Sequence, residues 1–361
     1  MMTSRSLYQR TLAARRLLRG PARLRRPYRA AANIEAATTA YWLMRAFYLF
    51  TLYYAFATLR RLYVVSTSGS DLNPLWPVFW IDKGNLPAAA PVLGLAITVA
   101  SVAAVAWPHH RWPRIAVALL GVVCVALVNS FGSVNHSSHV WLWMAVCFCA
   151  LPGTTASGLA QSRALRQSYL TVFFATQCLV ALFYSLSGGF KAFNGVFVQH
   201  NAVSSFSPDA LPLLVVQRWL ETGNTPLLAG PFLEHLWIAW PAHILVIYVE
   251  LFALVAVFRP ELHRPLGLAL MTFHLGVWLL LGISFPYQPM LVVLLFFCSP
   301  LRPIPAPSPM QVLRQLPGLG DAWAALAAGA RHAGAGWRGR PQREDRQAVR
   351  GPAAGSLDSP P

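Results

Sequence analysis

The stretch from Pro87 to Trp107 carries no charged residue. As a helix rising about 1.5 Å per residue, it reaches across the roughly 30 Å hydrocarbon core of a bilayer. Lipid offers the backbone no hydrogen-bond partners, so a lone crossing segment must satisfy its own peptide groups as a helix. Similar segments recur through the chain. Hydrophobic residues make up 56% of the 361-residue sequence and charged residues 11%, which sets aside the two soluble domains that length alone suggests. The expected fold class is all-α: a polytopic transmembrane helix bundle of about eight helices with a disordered C-terminal tail.

Apolar length and polar punctuation place the eight segments at Tyr41–Leu59, Pro87–Trp107, Ile115–Phe131, His139–Leu151, Tyr169–Gly188, Phe232–Phe258, Leu266–Phe285 and Pro289–Cys298. The fourth and eighth are short for a crossing, so six or seven crossings is the alternative count. Three regions follow: a basic arm over 1–39, a transmembrane domain over 40–302, and a tail over 303–361. The tail's Pro/Ala/Gly/Arg composition predicts disorder. Within the loop after Lys191, Pro212–Leu220 reads as an amphipathic helix lying at the membrane surface.

The net charge of +17 would suit nucleic acid if it formed one basic face. Instead the arginines sit in the two tails and in short loops, so the expected partner is the lipid bilayer and not nucleic acid. The same bias predicts a multi-pass cell (inner) membrane protein with both termini cytoplasmic and residues 191–231 external. The arginine-rich N-terminus also resembles an organellar transit peptide, but arginine is as heavily used in the C-terminal tail, which favours a cytoplasmic arm. Cys124, Cys147, Cys149, Cys178 and Cys298 fall in apolar stretches without metal-binding spacing. No metal is expected.

Ionisable residues inside apolar segments carry the functional signal, because lipid tolerates them poorly. Of 29 basic residues only Lys83 and Lys191 are lysines, and Lys191 stands in "YSLSGGFKAFNG" at the end of an apolar run. Gln177, Tyr184 and Lys191 recur every seven residues, which puts them on one helical face. His243 and Glu250 share that spacing, and His274 lies mid-segment. Each has a plain reading: Lys191 snorkelling to headgroups, Glu250 paired with Arg45, and His274 a hydrogen-bonded core histidine. His136 and His139 read as loop residues or as two metal ligands lacking a third. Facing one another across a shared cavity, lysine, glutamate and histidine suit proton handling. A non-enzymatic membrane factor for peptide maturation, export or small-molecule transport is the alternative. A transporter should show inverted repeats and broken helices; no repeat is evident, though Gly188-Gly189 could break a helix.

"YSLSGGFKAF" resembles the segment of vitamin K-dependent gamma-glutamyl carboxylase that ends an apolar helix in Tyr-x-x-small-Gly-x-x-Lys. "VNHSSHVWLWM", "LMRAFY", the interval from Glu250 to "FH" and the closing "FCSP" are similar to that family's membrane portion and to the wider HTTM group. The resemblance covers about residues 40 to 300. It implies that Lys191 acts as a base toward a hydroquinone, with His274 and His136 binding substrate oxygens and Glu250 orienting a partner or relaying a proton. Asn135, Tyr184 and Arg45 are then expected at the substrate, and the implied partners are a lipid-soluble quinone and a peptide. That family continues into a large extramembrane domain that helps to hold its protein substrate, whereas here a disordered tail is expected after the membrane portion.

Overall fold

The computed structural model describes residues 34–67, 71–131, 138–197, 203–285, 287–303, 306–323 and 325–326. Among them the regular structure is helical, and the all-α expectation holds. α1 (Ile34–Thr67), α2 (Leu86–Ala106), α3 (Trp112–Asn129) and α4 (His139–Cys149) form one half of the bundle. The short α5 (Ala156–Gln161) leads into α6 (Arg163–Phe197), followed by α7 (Ala210–Thr222) and α8 (Ala229–Glu234). α9 (Leu236–Leu251), α10 (Ala253–Val257), α11 (His263–Leu281) and α12 (Gln288–Val292) complete the other half. A π-helical turn at Val293–Phe297 continues α12, and α13 (Pro309–Gln315) follows.

α2, α3, α6 and the helix reaching Leu281 are long and apolar enough to cross a membrane. The chain is an integral membrane protein. α4, α9 and α12 with its π turn are apolar but shorter. α1 has the length, but its tyrosines, threonines and arginines dilute its apolar character. Each of the eight expected segments is helical, and the sixth is broken at Phe252, between α9 and α10.

Polarity is fixed by contacts. Tyr41 and Met44 of α1 meet Tyr169 near the start of α6, and Phe47, further along α1, reaches Phe173, further along α6, through Phe148, so α1 and α6 run in the same direction. The bundle therefore has one end near Arg114 and another near Lys191. Near the Arg114 end the guanidinium, with no exposed surface, donates to the Leu151 carbonyl at 2.7 Å and approaches Met44 Sδ at 3.4 Å. Leu151 follows α4, so this cation meets the negative end of that helix dipole. Between α1 and α4, Trp141 stacks on Tyr54 with ring centroids 4.0 Å apart and donates from Nε1 to Thr51 Oγ1 at 3.1 Å. Gly121 gives its ring room.

The other half is held by polar pins. A π turn leaves backbone carbonyls out of the regular ladder, and Gln177 Nε2 donates to one of them, on Leu295. The same Nε2 donates to Ser299 Oγ at 2.9 Å. His263 Nε2 lies 2.9 Å from the Val257 carbonyl and Nδ1 lies 2.8 Å from Ser299 Oγ. A carbonyl only accepts, so Nε2 carries the proton and the Ser299 hydroxyl donates to Nδ1.

Two sequence expectations need correcting here. Disorder does not begin at 303: Ser308 and Gln311 form a capping box that starts α13. Tyr248 then donates its hydroxyl to the Pro317 carbonyl at 2.8 Å, and Arg259 donates to the Gln315 carbonyl. The second correction concerns Gly188-Gly189, which do not break α6; the helix continues to Phe197.

Candidate functional site

The site grows out of "YSLSGGFK" on α6, where most polar or small positions meet a neighbouring helix. The Tyr184 hydroxyl lies 2.7 Å from His274 Nε2 on α11. Ser185 Oγ accepts the Leu254 backbone N–H at 2.9 Å, and so satisfies a donor at the start of α10, where the break from α9 leaves it without a helical partner. Ser187 Oγ donates to Glu250 Oε1 at 3.4 Å. Gly188 lies directly on the backbone of Glu250 and Leu251, where a Cβ would collide. This glycine serves helix contact. Lys191, almost one turn further, donates from Nζ to Glu250 Oε2.

The two partners differ in setting. The Glu250 side chain is 4% exposed and the Lys191 side chain 32%. Lys191 Nζ also lies 5.7 Å from the centroid of the Phe273 ring, a distance at which an ammonium is attracted by an aromatic face. His274 is buried, and its Nδ1 has no hydrogen-bond partner among the described residues. Phe273 and Phe285 flank its ring.

Lys191, His243 and Phe273 line an apolar cavity of about 670 Å³, with Leu211 and Leu214 of α7 and Phe232 of α8 among its other walls. A second cavity, of about 660 Å³, shares the walls Leu245, Val249, Pro265 and Ala269 and extends toward Leu316 and Pro317. The two cavities lie side by side along α9 and α11, and Lys191 is in the wall of the first.

Lys191, Glu250 and His274 were expected on one cavity; Lys191 pairs with Glu250 and His274 meets Tyr184, but of the three only Lys191 lines the cavity. Lys191 and His243 line the cavity, whereas Glu250 stands behind Lys191 and His274 behind Phe273 and Tyr184. Arg45 is not brought to Glu250. Its guanidinium lies over the rings of Trp42 and Tyr41 on its own helix, 4.9 and 6.0 Å from their centroids. Asn135 and His136 fall outside the described residues. Sequence reasoning noted His243 only as Glu250's heptad partner, and gave Phe273 no role beyond the "FH" pair. It missed His263 and Ser299 as a buried pin. The signal for His263 was weak, since "RPELHR" reads as a polar loop.

No family model, curated protein or solved structure matches this chain.

Proposed function

We propose that this membrane protein is a carboxylase-like enzyme of the HTTM type, in which Lys191 and Glu250 move a proton away from a quinol held in the apolar cavity. One observation carries the reading: a buried carboxylate is held by a lysine that itself lines a 670 Å³ apolar cavity. The residues suit such a ligand, because aliphatic and aromatic walls accept a ring and chain while a single cation meets an oxygen. When bound, a quinol would supply an acidic hydroxyl and two electrons, with dissolved dioxygen as their acceptor.

The rest is the chain's own work. Lys191 Nζ and Glu250 Oε2 share a hydrogen bond, so a proton has a direct path between them. Lys191 Nζ can pass a proton to Glu250 Oε2 and take one from the cavity side, so that the net proton resides on the carboxylate. The sequence reading made Lys191 the base; here Lys191 is read as the relay and Glu250 as the acceptor, which the deeper burial of Glu250 supports. Ser187 holds the second carboxylate oxygen. Tyr184 fixes the His274 ring through Nε2. The apolar walls and the α7–α8 cover keep water from the reacting groups.

The test is direct. Lipids and quinones that co-purify in mild detergent are identified by mass spectrometry, and oxidation of a short-chain quinol is followed by absorbance. Lys191→Arg should lower turnover by about 10²–10⁴-fold, because guanidinium does not give up its proton. Unchanged turnover in that variant sinks the relay.

One feature favours a second reading. Discontinuous helices mark many transporter sites, and α9 breaks at Phe252, two residues after Glu250. Proteoliposomes that accumulate a solute only with an intact Lys191–Glu250 pair, without quinol oxidation, would identify a transporter instead.

A further inference from the structure

The segment joining α1 to α2, residues 71–85, has not entered the site, yet it is a built surface. Val78 and Ile81 are buried against Leu62, Leu86 and Leu127. The residues between and before them point away: Trp76 is 74% exposed, Phe79 69% and Trp80 57%. A chance loop would present such rings on a loose backbone. This one is pinned throughout.

Asn73 N–H donates to the Ser130 carbonyl at 2.8 Å and Leu75 N–H to Ser130 Oγ at 3.0 Å. Asp82 and Asn85 each accept the other's backbone N–H with a side-chain oxygen, at 2.8 and 2.9 Å. Asn85 Nδ2 donates to the Trp80 carbonyl at 2.9 Å. Asp71 and Lys83 pair at 3.0 Å across the two ends of the segment. The three rings are therefore held out by a closed set of hydrogen bonds.

We propose that residues 75–80 form a rigid aromatic anchor seated in the headgroup–acyl boundary of the leaflet at the Lys191 end of the bundle. Topology argues for lipid as the occupant. α2 begins at Leu86, is a membrane-crossing helix and is exposed along Val92, Leu95 and Val99, a face that only lipid can cover in a lone chain. The segment lies immediately before that helix, so it sits at the level where the bilayer meets water. Trp and Tyr concentrate there because each joins an apolar ring to a polar N–H or O–H; Trp80 Nε1 donates to the Pro77 carbonyl at 3.1 Å, which fixes that ring to its own turn. The Asp71–Lys83 pair, strongly exposed on both partners, belongs on the water side of that boundary.

The test uses full-length protein carrying 5-fluorotryptophan in nanodiscs of 1-palmitoyl-2-oleoyl phosphatidylcholine. Trp76→Phe and Trp80→Phe assign the two fluorine resonances. Each is then broadened by a nitroxide carried on the upper acyl chain of a lipid, or by a water-soluble gadolinium chelate. The expected result is broadening by the lipid-borne nitroxide several-fold greater than by the chelate, at both positions. The reverse ratio places the rings in water and overturns the proposal. Protection from both agents overturns it in favour of a protein surface, a second copy or a partner, covering the patch. If either Trp→Phe chain fails to fold, a nitroxide-labelled cysteine at Phe79, read for oxygen against chelate accessibility, decides the same question.

Discussion

Arg114 and Lys191 are both cations taken into the bundle, and the molecule treats them oppositely. Arg114 is wholly buried, meets a carbonyl and a thioether sulfur, and its Nε has no hydrogen-bond partner among the described residues. Lys191 keeps about a third of its side chain exposed, meets a carboxylate and lines a cavity. Arginine stays charged at any pH a protein tolerates and fans out several donors, so it can clasp a helix end. Lysine is a point charge whose proton can leave. The chain uses arginine nearly everywhere; its two lysines are Lys83, in an exposed pair with Asp71, and Lys191, in the cavity wall.

The largest expected effect tests that division on the lysine side. Lys191→Arg should lower quinol turnover by about 10²–10⁴-fold, the usual range for a lost proton-transfer group, with the thermal midpoint of the detergent-solubilised protein little changed. Arg114→Ala should do the reverse. Losing its packing and leaving Leu151 without a donor should cost about 2–4 kcal/mol, read as a lowered thermal midpoint, while turnover per folded molecule persists. Parallel loss of activity in both variants would erase the comparison. Gly188→Ala should cost about 1–3 kcal/mol by overpacking and also cut turnover, because the methyl forces α6 away from Glu250. The smallest effect belongs to the structural half: Thr51→Val removes the partner of the Trp141 Nε1 and should cost about 1 kcal/mol with activity intact.

Apolar length made the eight helical segments legible, because a bilayer core demands a nearly fixed run of uncharged residues. Lys191, Glu250 and His274 were legible for the same reason, as costly groups in the wrong solvent. The rest depended on contacts. The run through Gly188-Gly189 looked like an ending because each glycine in a helix costs about 1 kcal/mol against alanine; the close approach of Glu250 and Leu251 outweighs that. Arg114, in "HHRWPR", read as a loop charge because only the fold shows Leu151 and Met44 beside it. In the tail, overall composition hid a local signal, Ser308 followed by Pro309 and Gln311, which is how a capped helix begins. The seven-residue spacing found His243, but not that it rather than His274 would reach the cavity.

The partners of the buried ion pair lie 59 residues apart in sequence, on helices α6 and α9. A ribosome adding about 5–20 residues per second therefore delivers Lys191 to the membrane some 3–12 s before its counter-ion exists. During that interval α6 must either wait with the ammonium at the headgroups or be sheltered by the insertion machinery. Arrival of Glu250 makes deeper seating possible, since an unpaired acid within an apolar segment is itself unfavourable for insertion. Each charge is thus the other's licence to enter, and biogenesis of this protein should pause until both have been made.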